Sequence, residues 1–396
     1  MFRLTRIHTT PIEKGSTWLQ LFFDLVYVAI LIEIGNQFAH SLDLQGAVKF
    51  IFLFIPIWWS WLEFVEYGSR YPVDDIGMRV LTVIYMAIML LLAFEIHRLG
   101  DGANMTVFIF TYALSKFILA IMYGRAWFYY PTYRQLTSHQ AIVFSAVGIV
   151  WLILAFATPT ALWIWTIPIL IGTLSPLIIR LIQKGLDRAK LVGPPIKYHF
   201  ISHRFGELTI IVLGEFFIKL VTSSAGRELT AVNYMIGAFL LTISVSLWWL
   251  YFDHLEHIHL SSKKSHIALW TYSHFPFLVA ITIYGVVGNK LFAATPFEPI
   301  SDTKRILFMA ALATAVLAYG AIEWASKEKD EPLSRTAQPM VRIGAAGALL
   351  AIGFWGSSLN VGWLTGLAAA ILLAQVAFDV YARIQQPDVD KLIAIS

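Results

Sequence analysis

Apolar residues run along this chain in long blocks, separated by short clusters of charged residues, Pro and Gly, and no soluble-domain-sized polar stretch interrupts them. A helix needs about 20 mostly apolar residues to cross the hydrocarbon core of a bilayer, so each block predicts a membrane span. About twelve follow, at approximately 17–38, 47–67, 77–97, 104–124, 139–158, 161–183, 200–222, 232–253, 267–289, 304–324, 339–356 and 360–382. The expected fold is therefore all-α, a polytopic integral membrane protein. The longest link, residues 184–199 with Gly193-Pro194-Pro195, divides it into a first six-helix half, 1–183, and a second, 200–396.

The first block contains two acids, Asp24 and Glu33. An aspartate near the middle of a transmembrane helix costs roughly 2.5–3.5 kcal/mol on an insertion scale, so Asp24 must face a protein partner or a water-filled cavity. Gln20, Asp24 and Tyr27 share one helical face and form a narrow polar stripe. Two readings are open. Asp24 could be a proton-titrating or cation-binding carboxylate, or it could lock helices together through Arg79, Lys116, Arg204 or Lys219.

The seventh block repeats the problem with Glu207 and Glu215. Phe22-Phe23-Asp24-Leu25 aligns with Phe205-Gly206-Glu207-Leu208, and Trp58 to Glu63 aligns with Trp248 to Asp253, in order and at similar offsets. Duplication is the expectation, with two parallel six-helix repeats related by an axis along the membrane normal and Asp24 and Glu207 near a site shared between them. Asp24 and Glu33 lie about 180° apart around the helix, Glu207 and Glu215 about 80°, so the repeat is inexact there. Glu215 and Lys219, four residues apart, are expected to pair with each other. The tryptophans of spans two and eight fit an interfacial belt, and Glu63, Glu66, Glu95, Glu323 and Asp379 are read as interfacial acids.

Composition agrees with the pattern: 58% hydrophobic residues and 14% charged, with a mean hydropathy of +0.68. The absence of cysteine removes disulfides, thiolate catalysis and cysteine metal sites. The net charge of +4 is diffuse and forms no nucleic-acid patch. Lys and Arg gather on the side of the N-terminus, Arg3, Arg6, Arg70, Arg125, Lys184, Arg188 and Lys327 among them, while Lys49, Arg98, Arg227 and Lys290 lie opposite. That bias predicts both termini in the cytoplasm. No removable signal peptide is expected, since Met1 to His8 has no apolar core followed by a cleavage site.

A histidine-rich set, His199 and His203, then Asp253, His254, His257 and His259, has i, i+4 spacings that could hold a transition metal; His199, His203, Asp253 and His257 are the candidate ligands. No His-Glu-x-x-His, phosphate loop, nucleophile elbow or dinucleotide fingerprint is found, so no cofactor is expected.

Leu21-Phe22-Phe23-Asp24-Leu25-Val26-Tyr27-Val28 resembles the opening motif of the bacterial low temperature requirement A (LtrA) family. Pro56 to Trp61, Asp74-Asp75 through Arg79, and Arg204-Phe205-Gly206 with Ile210 to Glu215 are similar to the same family. The resemblance implies a multi-pass protein of the bacterial cytoplasmic membrane connected with growth in the cold, with no settled activity. His203 and Glu207 depart from the family pattern, in which an acid commonly precedes the arginine and an apolar residue commonly follows the glycine. The leading expectation is a transporter or channel for a proton, small cation or small solute, with Asp24 and Glu207 near its path. The alternatives are a membrane-embedded enzyme acting on lipid or an isoprenoid carrier, with bases or metal ligands between Asp253 and His266, and a non-catalytic organiser or sensor. The lipid bilayer is the expected partner, and the oligomeric state is open.

Overall fold

The computed structural model describes residues 17–100, 105–157, 193–255, 264–293, 300–326 and 337–384. They form α1 (Trp18–His40), α2 (Leu44–Arg70), α3 (Ile76–Gly100), α4 (Thr106–Tyr129), a 3-10 turn (Pro131–Tyr133), α5 (Arg134–Phe156), α6 (Tyr198–Ser224), α7 (Ala231–Leu255), α8 (Lys264–Phe292), α9 (Asp302–Ser326), α10 (Ala337–Trp355) and α11 (Val361–Ile384). There is no strand among the described residues. These helices coincide with eleven of the predicted spans, and the sixth, 161–183, lies outside the described residues. Among the described residues nine helices are long and apolar enough to cross a membrane. The chain is a multi-pass membrane protein. The other two described helices are α6, which carries Arg204, Glu207, Glu215 and Lys219, and the shorter α10, which carries Gln338 and Arg342.

Local chemistry sets the helix ends. Thr17 and Gln20 form a reciprocal capping box at the start of α1, Thr17 N donating to Gln20 Oε1 at 2.8 Å. Asp43 accepts from Gly46 N at 2.7 Å at the start of α2, and Asp75 accepts from Met78 N at 2.8 Å at the start of α3. Pro56 sits inside α2 without an N–H to donate. Its own carbonyl accepts the Tyr112 hydroxyl of α4 at 3.0 Å, which straps the two helices together.

The chain divides into two compact units, Met1–Ile211 and Val212–Ser396, with the boundary inside α6. In the first, α1 packs on α2 and α3, α3 on α4, and α4 on α2 and α5. The segment after residue 192 is fastened to the end of α2: Arg70 Nη1 donates to Pro194 O at 3.2 Å and Lys197 N to Ser69 Oγ at 2.8 Å. Gly193 permits this approach, because a Cβ there would lie 2.5 Å from Leu136 Cδ2. In the second unit α9 packs on α8 and α10, and α11 on α7 and α10. Outward faces carry apolar side chains such as Phe22, Leu25, Phe94, Ile153 and Phe354, each more than half exposed, as a surface meeting hydrocarbon requires.

Candidate functional site

Asp24 is fully buried in the first unit. Its Oδ1 accepts from two donors, Trp61 Nε1 of α2 and Arg204 Nη2 of α6, each at 2.6 Å. The Arg204 side chain is 1% exposed, so both charges of this pair have left water. Moving either charge alone into such surroundings would cost several kcal/mol, which is why the two occur together. Asp24 Oδ2 and Arg204 Nε are buried without a hydrogen-bond partner. Arg204 Nε stands 3.9 Å from Glu207 Oε2, one turn further along α6. One guanidinium therefore lies between two carboxylates, bonded to Asp24 and within reach of Glu207.

Aromatic rings enclose the pair. The Arg204 guanidinium lies 5.6 Å from the centroid of Phe23, Phe23 stacks on Phe64 at 3.9 Å, and Phe205 meets Trp61 edge-on at 4.9 Å. These walls exclude water and lower the local dielectric, which strengthens every charge contact inside them. Sequence reasoning placed Trp61 in an interfacial belt; its side chain is fully buried, and its indole N–H is spent on Asp24. Trp248 and Trp249 are each 42% exposed.

The other predicted residues fall as follows. Gln20 belongs to the α1 capping box. Tyr27 is buried one turn beyond Asp24, with its hydroxyl in electrostatic range of Ser60, Tyr85 and Tyr112. Glu33 accepts from Gln37 at 3.2 Å and Asn36 at 3.3 Å and lies 2.9 Å from His97 Nδ1. Of the cations proposed as locks, Arg204 alone meets Asp24. Arg79 forms an exposed fork on Asp74, Lys116 pairs with Glu63, and Lys219 pairs with Glu215 at 2.6 Å. His199 and His203 are exposed with rings 4.5 Å apart. His257 lies outside the described residues, and among the described residues no three His, Cys, Asp or Glu side chains converge as metal ligands.

Sequence reasoning missed three further charge clusters. Asp75 caps α3 and also holds Arg125 of α4. Glu63, read as interfacial, pairs with the buried Lys116. In the second unit Arg342 donates Nε to Glu323 at 3.4 Å, Nη1 to Gln375 at 2.9 Å, and Nη2 to both oxygens of Asp379 at 2.7 and 2.5 Å. The i, i+4 pair Gln375 and Asp379 on one helix, with a lone arginine in α10, was the available signal. Beyond the end of α2, burial pushes the Tyr71 hydroxyl up to about 12 against the pull of Arg70. Burial also raises Tyr130, against Arg125. Both of these hydroxyls stay protonated at neutral pH.

A family model described as bacterial low temperature requirement A protein matches residues 15–380. The chain is 23% identical over 325 residues to an uncharacterized protein of Rhizobium meliloti (strain 1021), an alignment covering 74% of this chain and 74% of that protein.

Proposed function

The chain belongs to the bacterial low temperature requirement A family, and from that premise we propose that it moves protons, alone or together with a small solute, across the membrane it spans. Asp24 is the group that takes up and releases the proton. The observation that carries this reading is the orphaned Oδ2 of Asp24, buried beside Arg204. A buried carboxylate oxygen with no donor is where a proton binds with least rearrangement.

The guanidinium argues for a proton over an alkali cation. An alkali cation would have to sit beside the guanidinium as an intact ion with its own oxygen ligands, whereas a proton forms a covalent O–H bond on the one orphaned oxygen, Asp24 Oδ2. A proton instead neutralises Asp24 and releases Arg204. Glu207, 3.9 Å from Nε, is the carboxylate that then receives the guanidinium. The Asp24 to Glu207 exchange gives the site two states, which a carrier needs and a permanent lock does not. Duplication of two six-helix halves, and a topology with both termini cytoplasmic, belong to the same reading. They rest on the aligned Phe-x-acid segments and on the distribution of Lys and Arg.

The test is proton flux into proteoliposomes holding the purified full chain, followed with a trapped pH dye. Asp24→Asn is expected to abolish flux, and a strain lacking the protein should regain growth in the cold from the wild-type chain but not from this variant. Flux left unchanged by both Asp24→Asn and Glu207→Gln would sink the assignment.

A further inference from the structure

A second buried ion pair lies in the same unit. Lys116 of α4, 1% exposed, pairs with Glu63 of α2, and its ammonium lies 4.7 Å from the Tyr112 ring centroid. Between this pair and Asp24 lies a set of hydroxyls centred on Ser60. Ser60 Oγ is 3.0 Å from Tyr85 OH, which also reaches Ser60 O at 3.3 Å. Tyr27 and Tyr112 both lie in range of Ser60, and Tyr85 and Tyr112 are in electrostatic range of Glu63. Ser60 is fully buried and the three tyrosines are each no more than 2% exposed.

Polar groups at this depth do not improve stability over apolar side chains of the same shape. Here four hydroxyls from four helices adjoin one another, and an ion pair stands at each end. Tyr27 closes the gap toward Asp24. It is one turn further along the same face of α1, so its side chain starts about 5–6 Å away; its hydroxyl is buried in range of Ser60 and Tyr85, while Asp24 Oδ2 is buried without a hydrogen-bond partner. One bridging water would carry a proton between the two side chains.

We propose that Asp24 and the Glu63–Lys116 pair are two stations of one proton relay, joined through the hydroxyls of Tyr27, Ser60, Tyr85 and Tyr112. This inference rests on the proton reading above and extends it to a second carboxylate. When the relay fires, the O–H bond of protonated Asp24 breaks, and the bridging water and then each hydroxyl accept one proton as they pass their own to the next. The last transfer forms an O–H bond on Glu63. No electron changes hands, and the net movement is one positive charge. Lys116 is the cation paired with Glu63, and its ammonium remains over Tyr112 throughout. The charged groups facing the network are Asp24 on α1, Glu63 and Glu66 on α2, Lys116 on α4, and Arg204 and Glu207 on α6.

The experiment is the same liposome flux assay with Tyr85→Phe, with Ser60→Ala combined with Tyr85→Phe, and with Glu63→Gln, each with flux normalised to folded protein. The double variant is expected to lower proton flux by about tenfold or more, Glu63→Gln to abolish it, and wild-type flux to slow when H2O is replaced by D2O. Wild-type flux that Asp24→Asn abolishes but the double variant leaves intact would overturn the relay while sparing the transport assignment. Absence of proton flux in the wild type would overturn both. Tyr112→Phe, which also removes the strap to Pro56 O, supplies an independent cut if Ser60→Ala fails to fold.

Discussion

Arg204 in α6 and Arg342 in α10 have side chains that are each 1% exposed, and each faces carboxylates from its own unit. Their surroundings differ in completeness. Arg342 donates from Nε, Nη1 and Nη2 to Glu323, Gln375 and Asp379, and its stem lies against Gly320, where a Cβ would come within 3.1 Å of Arg342 Cγ. Arg204 gives Nη2 to Asp24 while Nε has no hydrogen-bond partner, and Asp24 leaves one oxygen in the same condition. A filled network is rigid, because any displacement breaks several charge-assisted bonds at once. A partly filled one has a second arrangement within reach. The contrast separates a buried charge cluster that holds helices together from one that can change state, a distinction that counting buried ion pairs would miss.

The largest effect is expected at the filled site. Arg342→Met should remove the guanidinium that bonds Glu323, Gln375 and Asp379 and cost about 3–5 kcal/mol, read as a fall in the thermal midpoint in detergent. Proton flux, normalised to folded protein, should not change. A midpoint like that of the wild type would break the comparison at its firmer end.

At the Arg204 site the prediction is a departure from additivity. Asp24→Asn alone should cost about 1–2 kcal/mol, less than the usual loss on breaking a buried pair, because Glu207 receives the freed guanidinium. Adding Glu207→Gln removes the substitute and should raise the total to about 3–5 kcal/mol, more than the sum of the single variants. Strict additivity in thermal unfolding would mean that Arg204 has no second position, and the two arginines would then differ in detail but not in kind.

How far these sites were legible in the sequence depends on what each requires. The spans were legible because hydropathy and helix length act locally, so α1 to α11 lie where apolar blocks predict them. Asp24 was legible as a charge in an apolar run, and Arg204 stood among its possible partners. The choice of partner was not legible: Arg79, Lys116 and Lys219 were equally available cations. Lys116 goes to Glu63 through packing that no spacing along the chain encodes, whereas the Lys219–Glu215 pair follows its i, i+4 spacing. Trp61 was misplaced because indoles at span ends usually meet headgroups, whereas here the indole turns inward as a donor. The Arg342 cluster draws on three helices, and only the Gln375 and Asp379 pair leaves a periodic trace.

The smallest effect is expected at Arg79, and it isolates what makes the two buried sites matter. Arg79 grips Asp74 through Nε at 2.7 Å and Nη2 at 2.9 Å, a fork comparable in distance to that of Arg342 on Asp379. The difference is solvent: the Arg79 side chain is 62% exposed and that of Asp74 41%. In water the two charges keep most of their hydration when separated, and holding two long side chains together costs conformational entropy. Arg79→Ala should therefore move neither the thermal midpoint nor the proton flux measurably, although Arg79 offers as good a fork as any buried arginine. A clear drop in either reading would mean that the Asp74–Arg79 fork acts on more than its own helix end. Burial and completeness would then no longer be enough to rank the charge clusters of this protein.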